Sequence, residues 1–105
     1  MTAKMEDFIK TAVSDQADFA FTLSEPYFEP MLKVGDTVAF KNAKDIEVGE
    51  YGIFLIEGKP VLRQKGNGVI RSMNPDVPDH PIDENVICVG KLLGKLYKSP
   101  EELLQ

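Results

Sequence analysis

The sequence predicts a mostly β domain with short helical segments at its ends. Phe19, Phe21 and Leu23 alternate with Ala20 and Thr22, the period of a half-buried strand. Further β-prone runs at residues 37–41, 51–57, 60–65, 69–72 and 86–97 are each bounded by Gly, Asn, Asp or Pro. Helical spacing is confined to Met5, Phe8, Ile9, Ala12 and Val13, which share one face. About six short strands with little helix close into a barrel-like sheet or a sandwich.

Taken in order, the N-terminal helix ends at the polar Ser14-Asp15-Gln16, and the first strand follows from Phe19. The loop after it carries Pro26 and Pro30, which forbid a continued ladder. Lys33-Val34-Gly35-Asp36 reads as a turn into residues 37–41, and Gly49 breaks the polar connection that comes next. Glu57-Gly58-Lys59 and Gly66-Asn67-Gly68 read as hairpin turns. Residues 73–85 hold Pro75, Pro78 and Pro81 among acids and read as an irregular loop. Gly90 and Gly94 predict bulges or bends in the long last strand. Ser99-Pro100-Glu101-Glu102 opens a final helical turn, with Ser as cap and acids at the positive helix end. The expected organisation is an amphipathic arm over 1–16, a β domain over 17–98 and a helical turn over 99–105.

A chain of 105 residues, 43% hydrophobic, suffices for a single core. Its net charge of −5 and dispersed Lys and Arg argue against gripping nucleic acid unaided. No apolar run approaches the roughly 20 residues of a membrane span, and the start lacks the pattern of a secretory signal. Cys88 is the only cysteine, so no internal disulfide forms and a cytoplasmic setting is expected.

Three blocks in order resemble the C-terminal domain of LexA and the phage repressors, a serine peptidase-like family with a Ser/Lys dyad. They are Phe28-Glu29-Pro30 followed by Gly35-Asp36 and an apolar run; Gly49-Glu50-Tyr51 through Gly58-Lys59-Pro60-Val61-Leu62-Arg63; and Asn74-Pro75 followed by the apolar stretch 86–96. The resemblance covers about residues 17–97 and implies a small barrel-like sheet of the LexA and signal-peptidase kind. It also implies that Tyr27 stands at the nucleophilic serine position, Phe28 at a methionine, Pro26 and Glu25 at the preceding Asp and Gly, and Arg63 at the dyad lysine. Tyr27 and Arg63 are then expected near each other.

Those replacements remove the chemistry. The dyad needs an amine that can lose its proton to activate a hydroxyl. A guanidinium stays protonated, and a tyrosine oxygen sits too far out on its ring. Pro26 lacks a backbone N–H where an oxyanion needs donors. The family's Ala-Gly cleavage dipeptide does not occur in the chain. Lys65 shares the strand parity of Arg63 and reaches that position only by a register shift. Pro26, Tyr27, Phe28 and Arg63 are the candidate residues of the former cleft, and Tyr27 and Phe28 are expected to plug it rather than to form an exposed aromatic pair.

The other candidates carry less. His80 lies among Asp76, Asp79 and Asp83, a solvated acidic loop without the nitrogen and sulfur spacing of a metal site. Cys88 sits in an apolar run and reads as a buried, inert thiol. Gly66-Asn67-Gly68 lacks the Lys-Ser/Thr of a phosphate loop. No cofactor or metal is called for.

The resemblance implies a catalytically inactive domain serving dimerisation or regulation of a transcriptional regulator. DNA contact falls to a separate helix-turn-helix domain not in this chain. The expected homodimer pairs through Ile87, Val89, Leu92, Leu93 and Leu96, more apolar residues than one strand face buries, with Lys91 and Lys95 at the rim or in solvent. The competing arrangement is a monomer whose N-terminal helix covers that face. The rival functions are self-processing through Tyr27 or Ser24 with an unusual base, and peptide or ligand sensing in the former cleft.

Overall fold

The computed structural model describes residues 8, 10–28 and 31–103. Its strands are β1 (Phe19–Thr22), β2 (Thr37–Asn42), β3 (Tyr51–Ile56), β4 (Lys59–Lys65), β5 (Val69–Arg71), β6 (His80–Pro81) and β7 (Val86–Lys95). Short helices α1 (Ala12–Gln16) and α2 (Pro100–Leu103) lie near the ends of the chain. The strands hydrogen-bond in the order β1-β2-β7-β3-β4-β5-β6, the mostly β architecture expected. The chain divides into two compact units, Met1–Lys41 with Leu93–Gln105, and Asn42–Leu92, and β7 contributes residues to both.

In the first unit, β1 pairs antiparallel with β2, Phe19 opposite Phe40 and Thr22 opposite Thr37. The rings of Phe19 and Phe40 stack at 5.4 Å, an aromatic cross-strand pair that adds to simple burial. The other face holds Ala20 and Ala39, which join Phe8 and Leu96 in a buried cluster flanked by Val13, Ala17 and Leu93. The turn before β2 forms as expected. Gly35 takes φ +93°, a conformation glycine adopts without penalty, and the Asp36 carboxylate accepts from the Lys33 N–H at 2.8 Å.

The N-terminal helix departs from its expectation. It ends at Gln16, within the polar stretch expected to end it, but it begins only at Ala12. Thr11 is the N-cap, and it exchanges hydrogen bonds reciprocally with Ser14, the capping box that starts a helix. Met5 and Ile9 lie outside the described residues.

In the second unit, Glu57 and Gly58 at φ +52° and +81° make a two-residue turn between β3 and β4 of the type that matches strand twist. Val61 opposes Phe54 and Arg63 opposes Gly52. Phe54, Ile46 and Ile70 form the buried cluster, with Ala43, Ile56, Val61, Val86 and Cys88 packed on it. Burial raises the Cys88 thiol pKa, in keeping with an inert thiol. Where β3 meets β7, Ile53 opposes Gly90 while Phe54 opposes Cys88, so Val89 is the extra residue of a bulge. The bulge forms beside the expected Gly90. A Cβ on Gly52 would overlap the Gly90 carbonyl oxygen, so glycine is required here by close approach.

The region read as an irregular loop contains β6. His80 pairs with Ile70 and Pro81 with Val69. A two-residue strand carries no periodicity to read, and Pro81 is tolerated because β6 ends the strand order.

Candidate functional site

Tyr27 belongs to the first unit and Arg63 to the second. In the loop after β1, Pro26 is exposed, Tyr27 is 40% exposed and Phe28 only 9%. The Phe28 carbonyl accepts from the Leu32 N–H at 3.0 Å, which closes a turn. Of the two aromatics, Phe28 is buried while Tyr27 reaches the surface. Glu29 and Pro30, on which the family positions are anchored, lie outside the described residues.

Arg63 is half-buried on β4 opposite Gly52, and its Nη1 donates to the Leu62 carbonyl at 2.7 Å. It lines a cavity of about 420 Å³ with Ile56, Ile70, Val77, Asp79 and His80 among the neighbours. The loop that walls this cavity is tied by its own polar groups. The Asp79 carboxylate accepts from the Ser72 N–H at 2.9 Å, and the Ser72 hydroxyl donates to the Asn74 carbonyl at 2.9 Å. His80 was expected in a solvated acidic loop, but it is half-buried in β6 with Nδ1 2.7 Å from the Pro81 carbonyl oxygen. The cavity escaped the sequence reading because its walls are assembled by the unforeseen β6.

Lys65, which shares the strand parity of Arg63, is engaged with the connection before β3. Its ammonium lies 2.7 Å from Asp45 and donates to the Ile46 carbonyl at 2.9 Å. No sequence signal pointed to this pair, since Asp45 lies in the polar connection before β3.

The residues expected at a dimer interface separate by burial. Ile87 is 56% exposed, whereas Leu96 is 3% exposed. Leu93 packs with Leu96, Phe8 and Val13 in the first unit's cluster. Leu96 is thereby corrected: it is a core residue, covered by the N-terminal segment, and cannot contact a partner. Val89 and Leu92 are half-buried. Lys91 is at the surface, 2.6 Å from Glu50. Lys95 is only about one-third exposed and pairs with Asp36 at 3.3 Å, so it is not simply in solvent.

Among the described residues no three His, Cys, Asp or Glu side chains gather as a metal site, and no helix is long and apolar enough to cross a membrane. The family profile described as Peptidase S24-like matches residues 2–93. The chain belongs to the Peptidase S24-like family. This is the family of LexA and phage-repressor C-terminal domains. No curated protein and no solved structure gives a significant match.

Proposed function

We propose that this S24-like domain does not cleave and serves dimerisation and regulation of a transcriptional regulator, whose DNA contact is made by a separate helix-turn-helix domain. The observation that carries the inactive reading is Arg63. It occupies the returning hairpin strand, where the family resemblance puts the dyad lysine, and its guanidinium is bonded to the Leu62 carbonyl. A guanidinium cannot become the neutral base that the reaction needs. Tyr27 in place of the serine points the same way. The test is incubation at alkaline pH, alone and with a cleavable family substrate. No product is expected. Cleavage by the native chain that Arg63→Ala abolishes would refute the proposal.

A second reading, peptide or ligand sensing at the former cleft, is favoured by the cavity beside Arg63. A small-molecule or peptide hit that shifts the amide signals of Val77 and His80 would support it over the purely dimerising role.

A further inference from the structure

We propose that the cavity beside Arg63 binds a monocarboxylate carried on an apolar chain. This rests on the second reading above, that the cavity is a ligand site, and names the chemistry it takes. The residues that line it all belong to the second unit. Ile70, 1% exposed, and the half-buried Ile56 are part of that unit's core cluster, so this wall is apolar and continuous with the core. Val77, 51% exposed, and Pro78 add apolar surface from the loop before β6. A hydrocarbon chain that covered Val77 and Ile56 would be held by the burial of both surfaces, and about 420 Å³ suits a small organic molecule. The loop is tied by its own bonds. The Val77 N–H donates to the Asn74 carbonyl at 3.0 Å, the Asp76 N–H to Asn74 Oδ1 at 2.9 Å, and the Ile82 N–H to the Gly68 carbonyl at 3.1 Å. Walls fixed in advance lower the ordering cost of binding.

Arg63 supplies the polar end of the site. Its charge is permanent, and the bond from Nη1 to the Leu62 carbonyl at 2.7 Å fixes the guanidinium against β4. A guanidinium carries five N–H donors in a planar fork, and a carboxylate is the anion that matches this fork. Asp79 lines the same cavity, with its carboxylate accepting from the Ser72 N–H at 2.9 Å. A ligand with a second negative charge would meet Asp79, and like charges brought together are costly. Phosphates and dicarboxylates are thereby disfavoured. One cation, one anion and an apolar wall select a single carboxylate on a hydrocarbon body. A free aliphatic acid and the C-terminus of an apolar peptide share that chemistry.

The experiment is an NMR titration followed at the amides of Val77, Asp79 and His80. The probes are hexanoate, 1-hexanol, and acetylated valyl-leucine as free acid and as amide. Hexanoate is expected to saturate the shifts of the native chain with a Kd of about 1 mM. The alcohol should bind at least about tenfold more weakly, the loss expected for a charged hydrogen bond. Arg63→Met keeps the apolar stem and removes the fork, and it should weaken hexanoate by the same factor. Lys59→Ala, a charge loss at an exposed site on the same strand, should bind as the native chain does. Acid against alcohol on the native chain needs no variant, so the test stands if Arg63→Met unfolds. A peptide acid that binds more tightly than hexanoate, with its amide weak, assigns the carboxylate to a chain terminus; the opposite order assigns it to a free acid. Equal affinity for hexanoate and 1-hexanol, or unchanged hexanoate affinity in folded Arg63→Met, overturns the carboxylate proposal and leaves the cavity a ligand site. No saturable shift with any probe overturns the proposal and the ligand-site reading together.

Discussion

Lys65 Nζ lies 2.7 Å from Asp45 Oδ1 and donates at 2.9 Å to the carbonyl of the next residue, Ile46. One ammonium thus ties the end of β4 to the connection between β2 and β3.

This clamp has a defined pH signature. The Lys65 hydrogen bond, helped by the Ile46 N–H, lowers the Asp45 pKa below its ordinary 3.8. A depressed carboxylate contributes stability that is fully present above the unfolded value and lost as pH falls through the folded one. Asp45→Asn should therefore flatten the acid limb of a urea-midpoint profile below pH 3.8. The native chain's acid loss should shrink in high salt, because the pair is at the surface. An unchanged acid limb in Asp45→Asn would count against the clamp.

Gly52→Ala should destabilise by about 1–3 kcal/mol, the range for overpacking, because the added methyl meets the Gly90 carbonyl oxygen and presses the Ile46 side chain. Gly35→Ala provides the contrast. It has open space but φ +93°, so its loss should be about 1 kcal/mol from backbone strain alone. Denaturant midpoints for the two variants check the order.

Leu62 is 1% exposed and Ile87 56% exposed. Leu62→Ala should cost about 2–5 kcal/mol through lost burial and a cavity. Ile87→Ala should stay within about 0.5 kcal/mol. Urea unfolding of both variants at one protein concentration measures the difference.

If the proposed dimer forms, Ile87→Lys should weaken self-association at least about tenfold, as seen by sedimentation across a concentration series. An ammonium placed in an apolar contact must be desolvated without a partner. Native chain that remains monomeric at about 100 μM would remove the dimer model.

Most strands were legible because turns and β-prone runs are local. Glu57-Gly58 and Gly66-Asn67-Gly68 need only backbone conformations that these residues adopt cheaply, and both hairpins formed where expected. Strand β6 was not legible, since His80 and Pro81 pair only because Ile70 and Val69 are there to receive them. At the candidate site, the residue types at positions 27 and 63 were readable. The hydrogen bond from Arg63 to Leu62, the cavity beside it and the Lys65–Asp45 pair were not, because each depends on where other strands stop.

The sequence by itself determined the family, the mostly β class, and the residue types at positions 27 and 63. Those are properties of residue type, order and spacing along the chain. Tertiary structure alone decided which apolar residues of the last strand region are available. Alternation supplies two faces, but burial depends on what lies against them: Phe8 and Val13 cover Leu93 and Leu96, while Ile87, opposite Leu55 on β3, remains open to solvent.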